Sequence, residues 1–255
     1  MWRPPYEASS QLLQVTAGCT HSKCKFCSLY HGTKFRLSPI AEVEEDLKVI
    51  QDYQPRARRV FLTGANPFAL SYNRLLDLGL LIRKYLRYCE SIGMFSRISD
   101  IKSKTVEELQ NLRHLGFDSI SIGTESGDDN TLAMMNKGYT ANDIIEQCKK
   151  LEEANIRYNF VYLTGLAGRN KGEQNAVNTA NVFNQLHPFT INFVSLTVFP
   201  ESELYQEIQC GNFVEATEHE RLFGTKDIHF KSLYRNNPVG KYGIKYSPIC
   251  WNDTQ

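Results

Sequence analysis

The sequence has almost no excess charge: 29 Lys and Arg stand against 28 Asp and Glu, a formal net charge of +1. That balance removes any global field drawing the chain to nucleic acid or to an anionic membrane. No segment carries a basic stripe, so no nucleic acid partner is expected. Long apolar runs are missing as well, and none approaches the ~18 residues that a membrane-spanning helix needs. The opening residues Met1-Trp2-Arg3-Pro4-Pro5-Tyr6 lack the apolar heart of a secretory leader. The expectation is a cytoplasmic protein with no membrane partner. There is no low-complexity stretch, and the cysteines do not make an even set: there are seven. An odd number in such a chain argues against a disulfide framework and for metal or redox use. Cys89, Cys148, Cys210 and Cys250 lie far apart, form no local motif and read as small core hydrophobes. A second cluster of metal ligands is therefore not expected.

What is present is an alternation. Gln11–Thr16, Arg59–Thr63, Met94–Ile98, Asp118–Ile122, Ile156–Leu163 and Ile191–Val198 read as strands. Between them lie helical segments. One has Ser38 as N-cap, Pro39 at its first position and Val43, Leu47 and Ile50 as its apolar face. A leucine-rich helix covers Leu70–Tyr88. Capping boxes open two more, Thr105 with Glu108 and Thr140 with Asp143. Helices are also expected over Asp129–Lys137 and Glu173–Leu186, and from Pro200 towards Gly211. About six strand–helix units of roughly 30 residues imply βαβ connections and a parallel sheet covered by helices. The fold class is α/β, a partial (β/α)6 TIM-like barrel with a parallel sheet and outer helices, over residues 1–211. Residues 212–255 carry aromatics and charges without periodicity. They are expected to form a C-terminal extension that covers the barrel mouth or is partly disordered.

In such barrels the chemistry lies on the loops after the strands. The first of these loops, Gly18 to Tyr30, reads G-C-T-H-S-K-C-K-F-C-S-L-Y, with Cys19, Cys24 and Cys27 within nine residues. Three thiolates suit an iron–sulfur cluster, or zinc with His21 or His31 as a fourth ligand. Only one C-x-x-C pair is present, whereas a zinc ribbon uses two. The other strand ends carry Gly64-Ala65-Asn66-Pro67, Arg97 and Ser99, Gly123-Thr124-Glu125-Ser126-Gly127, Thr164-Gly165-Leu166-Ala167-Gly168, and Thr197 with Phe199.

The loop C-T-H-S-K-C-K-F-C-S-L-Y resembles the cluster loop of radical S-adenosylmethionine (radical SAM) enzymes, including Phe26 just before the last cysteine. Gly64-Ala65-Asn66 is similar to the glycine-rich turn that receives the SAM amino group. Gly123-T-E-S-G-D-D, followed by Asn136-Lys137-Gly138, resembles a block of the branch with coproporphyrinogen dehydrogenase-like, elongator-like and methylthiotransferase-like proteins. Tyr162-Leu163-Thr164-Gly165-Leu166 is similar to the segment beside the adenine, and Ser195–Thr197 with Pro200–Tyr205 to that branch's last strand ending. The resemblance covers about residues 1 to 213. It departs at one place: the usual C-x3-C-x2-C is here C-x4-C-x2-C.

The resemblance implies a [4Fe–4S] cluster held by Cys19, Cys24 and Cys27, with SAM on the remaining iron. It implies reductive cleavage of SAM to methionine and a 5′-deoxyadenosyl radical that takes hydrogen from a substrate, with an electron donor such as flavodoxin or ferredoxin. Phe26, Gly64, Ala65, Asn66, Arg97, Glu125, Lys137, Thr164 and Leu166 are the implied cofactor-binding residues. The substrate is unknown and no catalytic residue is assigned. Each assignment has a structural alternative. Gly64 serves equally as a turn glycine, and Lys137 suits the last helical turn by its charge alone. Arg97 can pair with Asp100, and Thr164 and Leu166 can belong to the core. Two other function classes stay open: a carrier or haem chaperone that keeps the cluster and SAM without turnover, and a structural zinc protein.

Overall fold

The computed structural model of the protein describes residues 3–221. After a short 3-10 turn at Pro5–Glu7 come β1 (Gln11–Gln14), β2 (Thr16–Ala17), β3 (Arg36–Leu37), α1 (Ile40–Tyr53) and β4 (Arg59–Thr63). A second 3-10 turn at Pro67–Ala69 leads to α2 (Tyr72–Tyr85), β5 (Ser91–Ser96), α3 (Ile98–Lys102), α4 (Val106–His114) and β6 (Phe117–Glu125). Then follow α5 (Asp129–Met134), α6 (Ala141–Glu153), β7 (Arg157–Thr164), α7 (Gly172–Phe183), β8 (Thr190–Ser195) and α8 (Glu203–Gln209). The main sheet has six strands in the order β1-β4-β5-β6-β7-β8, and β2 pairs with β3 in a separate antiparallel ribbon. The expected parallel α/β fold with strand–helix units is what the chain adopts.

The chain divides into two compact units. The first comprises residues 3–22, Leu29–Gly123 and Glu146–Tyr158; the second comprises Lys23–Ser28, Thr124–Ile145 and residues 159–221. In the first, β1, β4, β5 and β6 run parallel in register, Leu13 opposite Leu62 and Leu62 opposite Met94. The apolar runs of β4 and β5 are buried on both faces, as strands in a parallel sheet are. Val43 and Leu47 of α1, Leu75 and Ile82 of α2, and Leu109 and Leu112 of α4 supply the helical side of this core. At the strand starts Arg59 donates to Glu7 at 2.7 Å and pairs with Asp118 at 3.2 Å, while Arg157 reaches Asp118 at 2.6 Å. These charges lie at the strand ends remote from the cysteine loop and tie the N-terminal turn to the sheet. In the second unit β7 runs parallel to β8, and Phe160 stacks on Phe183 with ring centroids 4.4 Å apart.

Several boundaries differ from the expectation, each for a local reason. The first strand breaks at Val15 into β1 and β2, because the chain turns there to pair with β3. Ser38 does not cap α1. It is buried, its N–H donates to the Val15 carbonyl at 3.0 Å, and Pro39 takes the cap position. Helix α2 starts at Tyr72 because Ser71 accepts the Arg74 N–H, and it ends at Tyr85. The third strand of the main sheet covers Ser91–Ser96, earlier than Met94–Ile98, because Asp100 accepts the Arg97 N–H at 2.8 Å and starts α3. Helix α8 is capped by Ser202, not opened by Pro200. Both capping boxes form as expected. Cys89 and Cys148 are buried as expected, but Cys210 is exposed just past α8. Cys250 and the expectation for residues 222–255 lie outside the described residues.

Candidate functional site

In the first unit the cysteine loop leaves β2 at Gly18, which has φ +71°. A Cβ there would stand 2.7 Å from the Thr33 carbonyl oxygen and 2.8 Å from that of Lys34, so only glycine fits. Cys19 follows, half-buried. Thr20 is then gripped from β4's loop: its N–H donates to Asn66 Oδ1 at 3.2 Å, and Asn66 Nδ2 donates to its Oγ1 at 2.7 Å. Asn66 Nδ2 also donates to Asp100 Oδ2 at 2.9 Å. Gly64, at φ +129°, lets this loop pass over β2, where a Cβ would collide with Thr16 Oγ1. Ala65 beside it is half-buried, and so is Arg97 at the end of β5. Burial pushes the Asp100 carboxyl above its ordinary range, against the opposing Arg97 N–H and Asn66 contacts. Beyond it Lys104, 2% exposed, donates to the carbonyls of Phe68 at 2.7 Å and Asp100 at 3.1 Å. Burial pushes its ammonium down to about 8. Thr16 Oγ1 and Ser99 Oγ are buried with no hydrogen-bond partner.

In the second unit lies the rest of the cysteine loop. The Cys27 N–H closes a turn on the Cys24 carbonyl at 3.1 Å, and both thiols are half-buried. Between them, Lys25 is fixed through its backbone. Its N–H donates to the Met135 carbonyl at 3.2 Å, and its own carbonyl accepts the Leu204 N–H at 2.8 Å. Its ammonium pairs with Glu207 and, at 3.7 Å, with Glu203 of α8. Phe26 packs against the core formed by Met135, Leu166, Leu196, Leu204 and Phe213.

Strand β6 runs on to Glu125, where the backbone enters the left-handed region at φ +63°. For a residue other than glycine that is unfavourable by about 1 kcal/mol. The residues that follow it are held firmly. Ser126 Oγ donates to Asn175, the Gly127 N–H donates to Thr179 Oγ1 at 2.8 Å, and Asp128 caps α5. The Glu125 Oε1 lies 3.6 Å from Lys137 Nζ. That ammonium stands 5.5 Å from the ring centres of both Phe26 and Tyr139, and Lys137 is 4% exposed. Oε2 of Glu125 is buried with no hydrogen-bond partner. Burial pushes this carboxyl above its ordinary range, and the Lys137 charge opposes the rise. Thr164 is buried at the end of β7, where its carbonyl accepts the Leu196 N–H at 3.0 Å, and the Leu166 side chain is fully in the core.

A family model for the radical SAM superfamily matches residues 13–180. The chain belongs to the radical SAM superfamily. A relative of this radical SAM protein is the heme chaperone HemW of Bacillus subtilis, 22% identical over 93% of this chain and 65% of that protein. Among solved structures it is similar to the radical SAM methyltransferase TsrM from Kitasatospora setae, determined with cobalamin and a [4Fe–4S] cluster (TM-score 0.65, 18% identity, 79% of this chain and 40% of that one). It is also similar to coproporphyrinogen III oxidase, HemN, from Escherichia coli (TM-score 0.61, 16% identity, 84% of this chain and 49% of that one). These likenesses show that the six-stranded sheet is the superfamily's partial TIM-like barrel. The chain spans less than two thirds of the length of these proteins.

A [4Fe–4S] cluster and SAM are the cofactors of this superfamily, and the residues present suit them. Three half-buried thiols share one loop and none of the described cysteines is in a disulfide, which is a donor set for iron and sulfide. The unpartnered Glu125 oxygen is an acceptor awaiting a donor. Among the described residues, no three Cys, His, Asp or Glu side chains stand gathered around one ion position. No helix there is long and apolar enough to cross a membrane. The sequence pattern missed Thr16, Thr20, Lys104 and Lys25. Asp100, read as a partner for Arg97, accepts the Arg97 N–H and an amide hydrogen of Asn66.

Proposed function

We propose that the protein is a radical SAM enzyme, with Cys19, Cys24 and Cys27 as the ligands of the cluster and an unknown substrate. The observation that carries this reading is the buried, unpartnered Glu125 oxygen beside the buried Lys137. A carboxylate held out of water, at a backbone angle that costs energy, is a prepared acceptor for the polar groups of a ligand. Glu125 would accept hydrogen bonds from SAM, and Lys137 would hold the charge of its carboxylate. The carbonyls at Gly64 and Ala65 would receive its amino group, and Arg97 would add a further positive charge. The backbone at Thr164 and Leu166 would line the adenine, and Phe26 would wall the second half of the cysteine loop from water. When bound and reduced by a flavodoxin- or ferredoxin-like donor, the cofactor pair supplies reductive cleavage of SAM to a 5′-deoxyadenosyl radical for hydrogen abstraction.

The similarity to HemW over most of this chain favours one second reading, a haem chaperone with the same cofactors but no substrate turnover. Anaerobic reconstitution with iron and sulfide should give a brown protein with roughly four irons per chain. Addition of SAM and dithionite should then release 5′-deoxyadenosine. Cys24→Ala should lose both. Glu125→Gln should keep the cluster while SAM affinity falls roughly 10- to 100-fold, the loss of a hydrogen bond to a charged group. A colourless protein holding one zinc would overturn the reading. A brown protein that binds haem and releases no 5′-deoxyadenosine would establish the chaperone instead.

A further inference from the structure

The one departure of the cysteine loop from the superfamily's usual spacing is the additional residue between Cys19 and Cys24. In the structure, the first residue of that gap is the one that Asn66 grips. We propose that Asn66 is a positioning residue for the cluster loop: by holding both the N–H and the hydroxyl of Thr20, it sets the direction in which Cys19 is presented and takes up the additional residue. The proposal rests on the reading that Cys19, Cys24 and Cys27 hold the cluster.

The Thr20 N–H belongs to the same planar peptide unit as the Cys19 carbonyl. A hydrogen bond to that N–H at 3.2 Å therefore fixes the orientation of the Cys19 peptide, not only the position of Thr20. The second bond, from Asn66 Nδ2 to Thr20 Oγ1 at 2.7 Å, closes a ring that removes rotation about the first. Two residues later the chain turns through Ser22 at φ +48°, a left-handed position held by a residue other than glycine. A four-residue gap so gripped at its start and folded back at Ser22 has the slack of its additional residue taken up before Lys23.

Asn66 is itself held still. Its second Nδ2 hydrogen goes to Asp100 Oδ2 at 2.9 Å, its backbone carbonyl accepts the Ala69 N–H at 3.0 Å, and it is 1% exposed. Both amide hydrogens and one acceptor position of Oδ1 are thus in use within the first unit. The side chain acts on the cysteine loop through Thr20, and Asp100 keeps its amide in the required sense.

The test compares cluster-loaded Thr20→Val, Thr20→Ser, Asn66→Ala and the double variant Thr20→Val/Asn66→Ala with the natural protein. Three properties are read: iron and sulfide content, the electron paramagnetic resonance spectrum of the reduced cluster, and the rate of bleaching by an iron chelator. Removing one hydrogen bond should speed bleaching roughly fivefold in Thr20→Val. Asn66→Ala should be faster still, with a broadened resonance. Thr20→Ser should restore the natural rate, and the double variant should be no worse than Asn66→Ala alone. If Thr20→Val and Asn66→Ala keep the natural spectrum and bleaching rate while only the melting temperature falls, the positioning role is overturned. Thr20 is exposed, so Thr20→Val reports even where Asn66→Ala does not fold. A Cys24→Ala protein that still assembles the full cluster would sink the ligand assignment, a failure distinct from that of the Asn66 role.

Discussion

Two lysines are buried among the described residues, and their surroundings differ in kind. Lys104, in the first unit, donates to two backbone carbonyls and lies over the Phe68 ring at 4.5 Å. Around it Asp100, Asn66 and Thr20 form a chain in which each named side chain finds a partner. Lys137, in the second unit, stands 3.6 Å from Glu125, whose other oxygen is buried without a partner. The first arrangement is complete without a ligand, and it ties the cysteine loop to the loop after β4. The second is incomplete, and its buried acceptor carries a desolvation cost of about 1–3 kcal/mol until something donates to it. Burial alone therefore does not tell the two lysines apart; the state of their neighbours does.

The largest test of this contrast is Lys137→Met. It leaves the Glu125 carboxyl buried without its cation, and should cost about 3–5 kcal/mol in urea unfolding. Adding Glu125→Gln should recover most of that loss. If the double variant is as unstable as the single one, Lys137 is a packing residue and the contrast collapses. Next in size is the alkaline limb of stability. Lys104 titrates near 8 when folded and at an ordinary 10.5 when unfolded. Between those values the unfolded chain binds more protons, so stability rises with pH, by up to about 3 kcal/mol. Below about pH 8 both states are charged and the contribution is flat; above 10.5 both are neutral and the gain is full. Lys104→Met should flatten this rise in unfolding curves taken across the window, and an unchanged slope would mean that Lys104 is not the titrating group. The smallest effect belongs to Lys25, whose ion pairs with α8 are partly open to solvent. Lys25→Ala should cost under about 1 kcal/mol at low salt and less at high salt. A larger loss would show that these pairs, and not the backbone bonds of Lys25, hold the loop to α8.

Much of the fold was legible because its signals are local. The apolar runs at Arg59–Thr63 and the capping boxes at Thr105 and Thr140 are each written within a few residues, and each appears where expected. Boundaries shifted where a side chain from outside the segment intervened, as Asp100 does at the start of α3. At the candidate site, spacing singled out the cysteines, and the resemblance of the block that starts at Gly123 in β6 singled out Glu125 and Lys137. The grip of Asn66 on Thr20 was invisible, because it joins residues 46 positions apart through one amide. The left-handed backbone at Glu125 was equally hidden. Nothing in G-T-E-S-G asks for it, and the residues that hold Ser126 and Gly127 beside it, Asn175 and Thr179, lie far along the chain.

That backbone angle has an evolutionary reading. Glycine adopts φ +63° without strain, so position 125 carries a residue that its backbone alone does not favour. Glycine there would relieve the backbone but leave the buried Lys137 ammonium without its carboxylate. The backbone angle and the buried ion pair therefore pull this position in opposite directions. Loss of Lys137 would remove that opposition, and position 125 would then be expected to drift towards residues that its backbone angle favours.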